Sequence, residues 1–106
     1  MPKYMWIGRY TAEGSKGVLA EGGTARKTAI DKLMASVGGT VDSVYFPVSN
    51  NGIVIIFNAP DSIAATAIGV TVSASGSASG DIMEILTPTE LDQAVKKSPA
   101  YRPPGR

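Results

Sequence analysis

From Ile53 to Phe57 the chain reads Ile-Val-Ile-Ile-Phe, without a polar side chain at any position. A strand with one face in water alternates apolar and polar residues, so an unbroken apolar run this short predicts a central strand covered on both faces. The segment before it, Ser49-Asn50-Asn51-Gly52, carries Asn-Gly turn chemistry that tolerates positive φ. Val41 to Val48 is therefore predicted to be the preceding strand, paired antiparallel through a hairpin. A chain built around this hairpin must supply at least one layer of helices to cover it.

The flanking segments provide that layer. Lys3 to Tyr10 has strand character, with Tyr4, Trp6 and Tyr10 on one face and Met5, Ile7 and Arg9 on the other. Thr11 to Gly14 is read as a turn, and Ser15 to Val37 has helical periodicity that ends at Gly38-Gly39. On a helical wheel Leu19, Arg26, Ile30, Leu33 and Val37 share a narrow arc. Gly22-Gly23 costs about 1 kcal/mol per glycine inside a helix, which predicts a short first helix and a second one starting near Gly23. Asp61 is an N-cap for an Ala-rich helix from Ser62 to about Val72, apolar enough to be buried broadly. The Ser-Ala-Ser-Gly repeat from Ser73 to Gly80 reads as a link or a glycine-broken strand start. Asp81 to Leu86 is the fourth strand. Thr87, Pro88 and Glu90 then form a capping box that opens a short helix reaching Lys97.

The order β-α-β-β-α-β with a terminal helix predicts an α+β, ferredoxin-like domain over residues 1–97, with helices on one face of a four-stranded antiparallel sheet. Residues 98–106 form a Pro-rich tail. The sheet face away from the helices holds either the Tyr4/Trp6/Tyr10 set or the Met5/Ile7 set, and either is too apolar for water. A homodimer packed sheet on sheet is the expectation.

Composition narrows the chemistry. With no His and no Cys among 106 residues, triads, thiol nucleophiles and Cys/His metal sites are excluded. The carboxylates show no metal-ligand spacing, so neither metal nor cofactor is expected. A net charge of +1 and the lack of an aromatic-basic RNA-binding pattern argue against nucleic acid as a partner. The uncharged stretch from Ser62 to Gly80 is mostly Ala, Ser, Thr and Gly, unlike a membrane span, and no signal peptide is legible; a cytoplasmic protein is expected.

Arg26 is the foremost candidate for a site, because a guanidinium on an apolar stripe needs a partner. With Gly23 and Thr24 at a helix start it forms an anion site; the competing reading pairs it internally with Asp42, Asp61 or Glu84, or lets it snorkel to the rim. Trp6 and Tyr45, with Tyr4 and Tyr10, either wall a pocket for a flat ligand or form dimer core.

The segments Tyr10-Thr11-Ala12-Glu13-Gly14-Ser15-Lys16-Gly17, Glu21-Gly22-Gly23-Thr24-Ala25-Arg26, Val72-Ser73-Ala74-Ser75-Gly76 and Leu86-Thr87-Pro88 together resemble the GYD-domain family, in order and spacing, from residue 2 to about 95. The resemblance implies a ferredoxin-like domain of the dimeric α/β-barrel type, of bacterial origin, in a family without an established biochemical role. The Gly, Tyr and Asp that name the family sit just before the third strand; this chain has Ser49-Asn50-Asn51-Gly52 there. The expected function is an oligomeric domain that binds a small anionic or aromatic molecule beside the sheet. The alternatives are a cofactor-independent enzyme in which enclosed Tyr, Arg and Asn groups, Asn51 among them, polarise a substrate, and an assembly subunit.

Overall fold

The computed structural model describes residues 1–48 and 51–106. Its elements run β1 (Lys3–Tyr10), α1 (Ala12–Ala35), β2 (Thr40–Tyr45), β3 (Gly52–Asn58), α2 (Ser62–Ala74), β4 (Ala78–Ile85) and α3 (Pro88–Val95). The strands form one sheet in the order β2-β3-β1-β4, every neighbouring pair antiparallel. The result is an α+β fold of ferredoxin-like topology: two β-α-β units interleaved so that the apolar β3 and the aromatic β1 lie at the centre.

The pleat of β1 decides which face the helices cover. Tyr4 and Trp6 are 3% and 4% exposed and pack with Ile53, Ile55 and Phe57 of β3 against Ile30 and Met34 of α1 and Ala65 and Ile68 of α2. Tyr4 stacks on Phe57 with ring centroids 5.6 Å apart. Of the two sets left open by the sequence, Met5 and Ile7 therefore face away from the helices, beside Val54 and Ile56 of β3 and Met83 of β4. Tyr4 and Trp6 belong to the helix-side core and are not available to a sheet-on-sheet interface.

Several boundaries differ from the sequence reading. Thr11 is an N-cap rather than part of a turn: its side chain accepts from the Gly14 N–H, so α1 begins at Ala12. The expected glycine break is present, at Gly22, whose φ of 80° and ψ of 177° interrupt the helix. The break shifts the helical phase, and Leu19, assigned to the apolar stripe, is 87% exposed. β2 stops at Tyr45, just short of Phe46-Pro47. The helix α2 buries Ala65 and Ile68 but leaves Ile63 and Val70 exposed, because a helix lying on a sheet hides only one arc of its surface. The capping box at Thr87 and Glu90 forms as read, with both reciprocal hydrogen bonds in place. Ser49 and Asn50, half of the expected hairpin turn, lie outside the described residues.

Candidate functional site

The region where α1 begins, α2 ends and β4 starts is tied together by backbone groups. The Ser77 carbonyl accepts from the Thr11 N–H at 3.0 Å and the Gly76 carbonyl accepts from the Thr11 hydroxyl at 2.8 Å. Gly14 is needed at this junction, since a Cβ there would overlap the Ser77 carbonyl. Gly76, at φ 75°, turns the chain out of α2. The Ser75 and Ser77 hydroxyls are 2.7 Å apart, and Ser75 donates to the Val72 carbonyl at 2.6 Å. The Ser-Ala-Ser-Gly repeat is thus the end of α2, a turn and the start of β4, not a link. Its small residues allow three elements to converge.

Behind this junction, between the helices and the sheet, lies a cavity of about 230 Å³. Trp6, Ile30, Met34, Ile55 and Ile68 make its walls apolar. Its polar lining is gathered at the junction: Tyr10, Arg26, Thr71, Ser75 and Ser77. Among the described residues Arg26 is the only charged one that lines it.

The Arg26 guanidinium is partly paired. Nη1 donates to the Glu21 carboxylate at 3.2 Å, across the break at Gly22. The Nε–H is buried and has no hydrogen-bond partner among the described residues. The internal partners weighed from sequence, Asp42, Asp61 and Glu84, are engaged elsewhere or remote: Asp42 pairs with Lys3 and Asp61 caps α2. Glu21 reaches Arg26 because the break at Gly22 removes the ordinary helical spacing between them. Tyr10 is half-buried beside this group. Burial raises the pKa of its phenol, the Arg26 charge and a hydrogen bond from the Arg26 side chain pull it down, and Glu21 pushes it up again; the net direction is upward. The phenol is therefore a proton-bearing donor at neutral pH.

The six candidate residues divide. Arg26 and Trp6 line the same cavity, as the pairing of anchor and wall requires. Gly23 and Asn51 line a separate depression with Phe46, and Tyr10 borders both spaces. Asn51 adopts φ 54°, donates its side-chain amide to the Ser15 hydroxyl and accepts from the Tyr10 N–H at 3.1 Å, so it positions the end of β1. Thr24 is exposed, and its carbonyl accepts from the Thr28 hydroxyl. Tyr45 stands opposite Val54 on the uncovered face and is 68% exposed. The sequence reading passed over Glu21, Thr71, Ser75 and Ser77. The spacing of Glu21 and Arg26 around two glycines was a usable signal, whereas the serines were hidden in low-complexity sequence.

The GYD domain family model matches residues 4–95, nearly the whole chain. The chain belongs to the GYD domain family. No curated protein and no solved structure matches it. This GYD domain keeps the junction described above inside the matched span, from Tyr10 to Ser77. Among its described residues no three acidic side chains gather to hold a metal ion, and no helix is long and apolar enough to cross a membrane.

Proposed function

We propose that this GYD domain binds a small molecule in the cavity between its helices and sheet, with Arg26 as the polar anchor and Trp6 as a wall. The observation that carries the reading is the buried Nε–H of Arg26, without a hydrogen-bond partner among the described residues, on a residue that lines a mostly apolar space. Burying such a donor without a partner costs about 1–3 kcal/mol, a cost that a bound acceptor removes. The apolar walls with a few convergent polar groups match the usual make-up of a small-molecule site.

Trp6 is the only tryptophan in the chain and lines this cavity, so its fluorescence reports on the cavity wall. Small aromatic probes such as benzamide and benzoate should change Trp6 emission in a saturable way, and native mass spectrometry of gently purified protein should show a discrete added mass. Arg26→Ala should weaken this response without changing the mass of the protein's assembly. No response to either probe, with no added mass, would sink the reading.

We further propose that a second copy of the chain covers the open sheet face. Ile7 and Met83 there are 43% and 41% exposed, beside half-buried Met5, Val54, Ile56 and Ile85. A face this apolar, with Arg9 and Asp81 supplying both signs of charge, suits a self-complementary pairing.

A further inference from the structure

The binding reading leaves open what chemistry the ligand carries, and the cavity narrows it. An apolar cavity of about 150 Å³ takes benzene, so a space of about 230 Å³ takes a body of about nine heavy atoms. A ligand enclosed within it is therefore far smaller than a nucleotide or a flavin. The cavity admits a single ring, or a short branched chain, with one small polar group.

The polar group is set by Arg26. Glu21 accepts from Nη1, and the buried Nε–H is without a partner among the described residues, which leaves the edge formed by Nε and Nη2, beside the Tyr10 phenol, to meet a ligand. Two parallel N–H donors on one edge match the two oxygens of a carboxylate. Tyr10 lines the same polar end and adds a neutral hydroxyl donor, whereas the Ser75 hydroxyl donates to the Val72 carbonyl and that of Ser77 to Ser75. A dianion such as a phosphate ester fits poorly, because the one guanidinium lining the cavity is already shared with Glu21 and no lysine lines it. A neutral amide presents one acceptor oxygen and turns its NH₂ donors toward a guanidinium that has only donors.

Resting on the proposed binding function, we infer that the ligand is a small monocarboxylate whose apolar body fills the cavity and whose carboxylate takes the Nε edge of Arg26. Glu21 is then a resident counter-charge. It holds the guanidinium in place when the cavity is empty and tempers its attraction when the ligand is bound.

Isothermal titration calorimetry with three probes of similar body tests this: benzoate, benzamide and phenyl phosphate. Benzoate should bind more tightly than benzamide by on the order of tenfold or more, the worth of one hydrogen bond to a charged group, and more tightly than phenyl phosphate. Arg26→Gln should erase the preference for benzoate while benzamide still binds. Glu21→Gln should raise benzoate affinity and leave that of benzamide in place, which keeps the test open if Arg26→Gln fails to fold. Equal binding of benzoate and benzamide would overturn the carboxylate inference and leave the cavity as a binding site. Tighter binding of phenyl phosphate would overturn it in favour of a dianion. A fall in benzoate affinity in Glu21→Gln would show that Glu21 supports binding and would also overturn it. If no probe binds, the binding function itself falls, and the inference with it.

Discussion

Gly8 lacks a side chain for a reason found two residues earlier. It shares a face of β1 with Trp6, and a Cβ at Gly8 would overlap the indole ring. The missing side chain lets the indole settle against the strand and wall the cavity. Gly8→Ala should force the ring from that position, destabilise the fold by about 1–3 kcal/mol in urea unfolding and shift Trp6 emission. Gly17→Ala is the contrast: a Cβ there meets nothing within 4 Å, and the residue lies in α1, so the change should stabilise by about 0.4–1 kcal/mol. Arg26 was visible to sequence reasoning because it stands in an apolar stripe, and a charge there needs an explanation. Its partner was not, because Glu21 is brought to it by a local break and not by either of the regular helical spacings. Tyr45 misled for the opposite reason: an aromatic in a strand announces burial, yet its register opposite Val54 puts it on the uncovered face.

Helices and strands were legible where one local rule acted alone. The apolar run of β3 and the capping box of α3 both announce themselves within a few residues. The phase of α1 was not so easily read, because one non-helical residue rotates everything before it relative to everything after it. Gly22 combines φ 80° with ψ 177°, a region open almost only to glycine. Gly22→Ala should therefore cost about 1–3 kcal/mol by chemical denaturation and loosen the Glu21–Arg26 pair. A β-bulge was equally invisible. In β2 the register slips between Val41 and Ser43, and the intervening Asp42 reaches Lys3 of β1 and Asn58 of β3, linking three strands. Lys3 donates to Asp42, with Asn58 adding a second bond, and together they hold its carboxyl below the usual carboxylate range. With the folded value depressed, this link contributes fully above the unfolded carboxylate pKa and is lost as pH falls through the folded one. Asp42 is exposed and Lys3 only half-buried, so solvent screens the pair and the contribution is small. Thermal unfolding followed from pH 6 down to about pH 2 should show a shallower loss of stability in Asp42→Asn than in the parent chain.

At the scale of the molecule, the chain is longer than a compact body of its size. Its extents are 56 × 33 × 24 Å and its radius of gyration is 16.8 Å, against about 13 Å for a compact chain of about this length. No residue of α3 is buried, and Leu91, Val95 and Tyr101 are all more than half exposed. The sheet itself is covered on one side only. The sequence pointed to this imbalance, since β3 is apolar on both faces while the helices suffice for one. It could not say which aromatics went to which side, because the two faces of β1 carry similar bulk. The single chain leaves Met5, Ile7, Val54, Ile56, Met83 and Ile85 without a covering layer, flanked by Asp81 opposite Ile7 and Lys3 opposite Ile85. Sheet-on-sheet pairing removes it from water, and size-exclusion chromatography with light scattering should then report twice 11.0 kDa for the parent chain. Ile7→Glu or Met83→Lys places a charge at the centre of the pairing and should return the mass to that of one chain, while Trp6, on the opposite side of the strand, keeps its emission. A parent chain that runs as a monomer would mean that the patch is covered by some other surface. A Met83→Lys variant that stays dimeric would move the interface to another exposed apolar surface, such as α3 with the tail or the outer face of α2.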